Sequence, residues 1–577
     1  MPPCPPSSLV LSCYSLTTIP FRRGRMSARS DSFQDSSSKV SKKATLKAQA
    51  RMALEEEHER TDGELKSNWP KAVDLYGSNL PCRLEGEVGD LVVLGKIPKE
   101  IDGTFYRMMV DPWCPPVEGN IPLDGDGNIS AFRFHDGRVD MKTKYVETER
   151  YKLERRAGKA LFGLYRNPWT HHPCVRAAID STANTNLVYW ANHLLAMKES
   201  ALPYSVDPQT LETRTYDPFG QIKAKTFTAH PKYDPYTDEL IVHGYEAKGM
   251  ATNDIVSYGI DRTGKCKNEL WFKQPWINPG AIHDCAITKN WLILFIWPFE
   301  ADVERMKKGG HHWAWNYDRG HTMIVAPRYP DNPPAPGWKK GETRHYTWKN
   351  CMAIHTAGAW EDASNPSLLY IESSRVHDNA FPFFPSDDGR LPAADAKADF
   401  VRWCIDTSTP AGTYISDPEV ILDIPAEFPR IDERFMTQKY NLLWLNVFIN
   451  PDGHKNIYHG LNGLAMHNHS TGKTQYHYAG DDSMCQEPIF VPRSEDAEEG
   501  DGYVMALIER VKANRCDVVV IDTREFEKAV AIVQLPFHMK AQVHGNWVSA
   551  KELGGYRSLV REVGEFEMRR EGALEPL

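Results

Sequence analysis

The chain has 577 residues; Lys+Arg 68 against Asp+Glu 77 leave a net charge of −9, and 41% hydrophobic content is enough for a sizeable core. A mildly acidic balance gives no footprint of the basic face that grips nucleic acid, so no nucleic-acid partner is expected. The longest apolar stretch, Trp291–Phe299, has nine residues, whereas a helix crossing a bilayer needs about 20, so no transmembrane segment is expected.

The first thirty residues hold Arg22, Arg23, Arg25 and Arg29, no acid, and many Ser, Thr and Pro. That is the composition of an organelle transit peptide, such as a mitochondrial one, but a plain tail is the preferred reading. A secretory signal is disfavoured because the basic cluster follows Leu9–Leu11 instead of preceding an apolar run. Eleven cysteines are scattered singly without a CxxC pair, which fits a reducing compartment and a cytoplasmic protein. Residues 36–64 are charged and Ser-rich, with Glu55–Glu57 inside a predicted short helix, and lack the apolar content to pack alone. Residues 1–70 are therefore read as tail, and 71–577 as a single domain.

After Trp69-Pro70 the pattern turns to short β-branched and aromatic runs. Leu187–Trp190, Glu239–Val242, Asp254–Tyr258, Leu368–Ile371, Leu442–Val447, Tyr503–Leu507 and Asp517–Asp522 each have the length of a strand. Between strands lie Asx or glycine turns, among them Asp207–Thr210, Asp261–Gly264 and Asp522–Arg524. About 500 residues of consecutive hairpins without a linker predict an all-β propeller; no blade-length repeat is visible, so the blade count stays open.

Nine of the 21 histidines lie in polar stretches (His171, His172, His311, His312, His454, His459, His467, His469, His477) where a surface position is the expectation. His230, His283, His355 and His544 differ. Each stands at the edge of an apolar segment, with gaps of 53, 72 and 189 residues that suit ligands from separate blades around one axis. His243 fits the same criterion. Four neutral imidazoles without cysteine suit a divalent first-row metal and leave two places open on a metal that prefers six, as iron(II) needs to bind dioxygen. Such imidazoles donate their second N–H to an acid, and Glu199, Glu427 and Glu487 are acids flanked by apolar or proline residues.

These residues carry a family resemblance. Gly103–Arg107, Asp124–Asn128, Thr228–Lys232, Glu427–Ile431, Glu487–Val491 and His544–Trp547 resemble the motifs of the carotenoid cleavage oxygenase superfamily, over about Leu84 to Val548. The resemblance implies a seven-bladed β-propeller with a helical and loop cap over an axial Fe(2+). It implies that His230, His283, His355 and His544 hold the metal, excluding His243, with Glu199, Glu427 and Glu487 behind them. It also implies cleavage of a carbon–carbon double bond by O2. Asp124–Asn128 starts like a calcium loop, but Ile129 and His135 stand where Gly and Glu are required, so calcium is rejected.

Within the superfamily, Lys198 and Tyr165 resemble the Lys and Tyr with which stilbene-cleaving members bind a phenolic hydroxyl. A hydrocarbon substrate would leave a buried ammonium without a partner, which is costly, whereas a phenolate removes that cost. Lys198 and Glu199 are neighbours, so both can serve one site only if their strand ends there. The expectation is a stilbene-cleaving dioxygenase acting on a small phenolic stilbene, with an apocarotenoid-cleaving enzyme as runner-up. The reading from another class is a non-catalytic propeller platform for protein binding, which has no use for four converging histidines. Oligomeric state is not expressed in the sequence.

Overall fold

The computed structural model describes residue 69 and residues 80–393, 396–449, 460–480 and 482–561. The predicted tail before Trp69, its short helix, His454 and His459 lie outside the described residues. Among those residues the strands form seven antiparallel sheets of four to six strands and one separate two-stranded hairpin. This is a seven-bladed β-propeller.

Each predicted strand falls within an observed one, and the turns form as their sequence demands. At Asp261–Gly264 the Asp261 carboxylate accepts from Thr263 N at 2.9 Å and Lys265 N at 3.1 Å. Gly264 supplies the positive φ of 81° that returns the chain from Asp254–Asp261 into Cys266–Lys273. Strands near the axis are buried on both faces because blades pack on either side. Ile282–Ile287 and Trp291–Ile296 are almost wholly buried. Cys266–Lys273, at a blade's outer edge, is half-exposed. Both chain ends close the ring: Gly103–Val110 pairs with Gln542–Ser549, and Val92–Gly95 pairs with Ala529–Gln534.

Among the described residues, two α-helices lie outside the seven sheets, Glu149–Ala157 and Val303–Lys307. The expected helical and loop cap also contains a hairpin, Phe299–Ala301 paired with Trp313–Trp315. The first helix begins where the Thr148 side chain accepts from Tyr151 N, and ends where Gly158 turns left-handed at φ 67°. Arg150, Tyr151 and Glu154 are its buried face, which turns two charged residues inward.

Candidate metal centre

The four histidines come from four blades and enter near the start of an innermost strand. His283 is the second residue of Ile282–Ile287, and His544 the third of Gln542–Ser549. His355 directly precedes Thr356–Glu361, and His230 lies two residues before Lys232–Asp234. Glu427, in Ala426–Ile431, and Glu487, two residues before Ile489–Pro492, follow the same rule in two further blades. Glu199 does not. Its strand, His193–Met197, ends one residue before Lys198, so Lys198 and Glu199 lie in a turn and are freed from strand alternation.

One nitrogen from each of His230, His283, His355 and His544 lies within 4.8 Å of the others. The His283 Nε2 atom is 3.0 Å from Nε2 of His230 and 3.0 Å from Nε2 of His355. The opposite nitrogens face acids. His283 Nδ1 bonds Glu199, His355 Nδ1 lies 2.6 Å from Glu427, and His544 Nδ1 lies 3.0 Å from Glu487. Ionised carboxylates only accept, so in these three rings Nδ1 carries the proton and Nε2 the lone pair. Lone pairs 3.0 Å apart repel, and the buried His544 Nε2 has no hydrogen-bond partner among the described residues. A cation between the rings removes both penalties, so the donor set fits a metal ion. Among the described residues, His230 is the member of the four without a carboxylate bond.

Burial, and then its three neighbouring imidazoles, hold His230 well below the ordinary histidine pKa. Burial likewise pushes His544 down to about 4 against the pull of Glu487. At His355 burial is again the largest influence, but the charge and hydrogen bond of Glu427 outweigh it, and the net shift is upward. The acids are all depressed: burial opposes ionisation, and His283 overrides it for Glu199, His355 for Glu427, and His544 with Arg430 and Arg107 for Glu487. Glu487 is also fixed by Gly545 N at 3.1 Å and Arg107 Nη1 at 3.2 Å. A Cβ on Gly545 would lie 2.0 Å from Tyr106 O, so only glycine lets this backbone pass beside His544.

Tyr165 and Lys198 come together beside this centre, the Lys198 Nζ atom lying 4.9 Å from the Tyr165 ring centroid. Lys198 is buried, donating to Thr182 Oγ1 at 2.7 Å and Asp124 Oδ1 at 3.3 Å. Burial lowers its pKa, and Asp124 opposes that fall. Asp124 in turn takes both forks of Arg150, at 3.1 and 3.0 Å. From Tyr165 a path of ring contacts runs through Phe384 (6.1 Å), Phe299 (5.8 Å) and Trp297 (6.2 Å) to His283 (5.1 Å).

The family model described as retinal pigment epithelial membrane protein (RPE65) matches residues 79–549. The chain belongs to this family, the carotenoid cleavage oxygenases. It is 66% identical over 522 residues to resveratrol cleavage oxygenase 1 of Botryotinia fuckeliana, covering 90% of this chain and 93% of that protein. It is 38% identical to isoeugenol monooxygenase of Pseudomonas nitroreducens, covering 82% and 97%. The solved structure of Pseudomonas brassicacearum lignostilbene dioxygenase superposes with a TM-score of 0.78 at 36% identity, covering 84% of this chain and all of that one.

In this carotenoid cleavage oxygenase, sequence reasoning left Lys198 without a protein partner, and the structure corrects that. Asp124 and Thr182 hold the ammonium, so its burial alone does not call for a phenol. Asp124–Asn128 was noticed only as a motif of the resemblance, and a carboxylate 74 residues from Lys198 meets it only through the fold. His171, His312, His467 and His477 are buried, not superficial. His312, for instance, lies 3.0 Å from Glu246 and 3.1 Å from the Arg166 carbonyl. His243 is also buried, with neither ring nitrogen bonded among the described residues and burial lowering its pKa to about 4, and lies outside the converging four. A separate polar cavity, lined among others by Lys232, Asp284, Arg430 and Asn546, reaches His230, His355 and His544 but not Tyr165 or Lys198. No described helix is long and apolar enough to cross a membrane, and the nine described cysteines are free.

Proposed function

We propose that the chain is a non-haem iron(II) dioxygenase that cleaves the central carbon–carbon double bond of hydroxylated stilbenes, resveratrol-like or lignostilbene-like, into two aromatic aldehydes. One observation carries the substrate class. The buried Lys198 ammonium, bonded to Asp124 and Thr182 among the described residues, lies beside the Tyr165 ring with a third N–H to offer a ligand, and is one residue from the carboxylate bonded to His283. The names of the relatives support the same class, since resveratrol, isoeugenol and lignostilbene are phenols bearing a conjugated alkene.

His230, His283, His355 and His544 would hold iron(II), which supplies the redox chemistry that activates dioxygen. Glu199, Glu427 and Glu487 orient three of those rings and keep their lone pairs inward. Lys198, kept charged by Asp124, stabilises the substrate as phenolate, and the Tyr165 hydroxyl donates to the same oxygen. The phenolate then pushes electron density through its ring to the alkene, the bond that must yield electrons. Overall, ArCH=CHAr′ and O2 give ArCHO and Ar′CHO, one oxygen atom in each product.

The test is to incubate iron-loaded enzyme with a 4-hydroxystilbene, its methyl ether and an apocarotenoid, and to identify the aldehydes by mass spectrometry. Cleavage of the free phenol alone is expected. Equal turnover of the methyl ether, or ready cleavage of the apocarotenoid, moves the substrate to the runner-up class while leaving the metal centre in place. Purified protein that takes up no metal would instead favour the non-catalytic platform.

A further inference from the structure

Tyr165 and Lys198 are each followed in the chain by a residue that belongs to the metal side. After Lys198 comes Glu199, bonded to His283. After Tyr165 comes Arg166, buried and left-handed at φ 52°, a conformation that a non-glycine residue keeps only where its surroundings hold it. Those surroundings are Glu246, itself left-handed at φ 50° and ion-paired to Arg166, and His312 against the Arg166 carbonyl.

The two dipeptides meet at one atom. Arg166 Nη1 donates to the Tyr245 hydroxyl oxygen at 2.6 Å, and the Tyr245 hydroxyl lies 3.0 Å from Glu199 Oε2. A guanidinium only donates and a carboxylate only accepts, so the hydroxyl proton must point at Glu199. Burial raises the Tyr245 pKa far above its ordinary value, so that proton stays in place. Glu199 is therefore gripped at both oxygens, by His283 at one and Tyr245 at the other.

We infer that Tyr245, backed by Arg166, is a positioning residue through which a phenol on the Tyr165–Lys198 pair and a divalent metal on the four histidines strengthen each other's binding. A phenolate that draws in Lys198 pins the turn carrying Glu199. With Tyr245 fixing the second oxygen, Glu199 then cannot swing from His283, and the imidazole keeps its lone pair directed inward. A metal that fixes His283 orders the same turn in reverse, and such linkage is necessarily reciprocal. The coupling rests on the phenol reading above and adds to it.

The test uses the full-length apoprotein, cobalt(II) as a metal with a visible spectrum, and 4-hydroxybibenzyl, which keeps the phenol and both rings but has no alkene to cleave. Calorimetry first measures phenol binding, and cobalt(II) is then titrated with and without it. Phenol is expected to tighten cobalt(II) about fivefold or more in the wild type, within the usual range of coupling. In Tyr245→Phe the factor should fall toward one, with one cobalt per chain still bound. Should that variant unfold on melting, Arg166→Lys removes the fork behind Tyr245 and should show the same loss. Phenol binding with no cobalt response in the wild type, or full coupling in both variants, overturns the inference alone. No phenol binding at all overturns the phenol reading and this coupling with it.

Discussion

The histidine centre and the Lys198 cluster share the turn Lys198–Glu199, yet they are built on opposite plans. The centre takes its rings from four blades at strand starts, with uncharged donors and an acid bonded to three of them. The cluster is made from loops and the cap helix, and is dense in charge. Lys198 and Arg150 face Asp124, Arg150 also bonds Asp180 at 3.0 Å, and Asp180 lies 3.3 Å from His171. Asp126, buried beside them, is pushed up to about 7 by burial, with Arg150 opposing. The centre thus needs an ion to be complete, whereas the cluster balances itself. One consequence is that, although a bound phenol and a bound metal reinforce each other through that shared turn, deleting a side chain of one region should spare the other region's own binding, and the predictions below test that.

The largest effect belongs to the centre. His355→Ala should abolish activity on every substrate and remove most of the iron, because it deletes one of four converging donors and leaves Glu427 buried without its main partner. Metal analysis and turnover on one preparation check this, and full iron content would remove His355 from the ligand set. Next comes the cluster. Lys198→Met should retain iron and lose up to ~10⁴-fold in turnover of a 4-hydroxystilbene, the size expected when a site built for a hydroxyl cannot bond it. The same variant should lose little further on the methyl ether, since both changes delete one interaction. Additive losses would show that Lys198 acts elsewhere.

This division also governs what could be read before folding. Strands were legible because alternation and turn residues are local; the apolar-edge pattern narrowed the histidines to five candidates, and the resemblance alone set His243 aside. Glu199, Glu427 and Glu487 were picked out by their apolar or proline neighbours and by the resemblance, and the strand starts of the last two emerged only in the fold. The cluster was half legible. Lys198 and Tyr165 were visible through resemblance, but Asp124, Thr182 and Arg150 were not, because nothing local marks residues that meet across 74, 16 and 26 positions. Tyr245 and Arg166 were invisible too, since their role depends on left-handed backbone at Arg166 and a contact 79 residues long. Charge networks are assembled by tertiary packing, and a single sequence carries no periodic signal for them.

A smaller effect is expected one layer out from the metal. Glu427 accepts from His355 Nδ1, Ser374 Oγ and Phe428 N, and a glutamine keeps the shape while losing the charge. Glu427→Gln should lower iron affinity or turnover by roughly 10–100-fold, with the fold retained. Circular dichroism alongside iron titration separates this from unfolding. Wild-type values for both would mean that the acid merely fills space.

The smallest effect comes from an imidazole buried away from both regions. His321 is fully buried, edge-on to Phe295 at 5.1 Å and stacked over Trp403 at 5.8 Å, with neither ring nitrogen bonded among the described residues. Burial alone lowers its pKa from 6.5 to about 3. The unfolded chain then binds a proton below pH 6.5 that the folded chain refuses until about pH 3, so stability falls as pH drops through that window. At pH 5.5 the loss from this one group is about 1.4 kcal/mol, one pKa unit's worth. His321→Phe should therefore lose about that much less than the wild type when urea unfolding is compared at pH 7.5 and 5.5. Identical losses would mean that His321 protonates in the folded state. Burial with no bonding partner penalises the proton and returns nothing, whereas in the four-histidine centre the same lone pairs face one point that a metal can occupy.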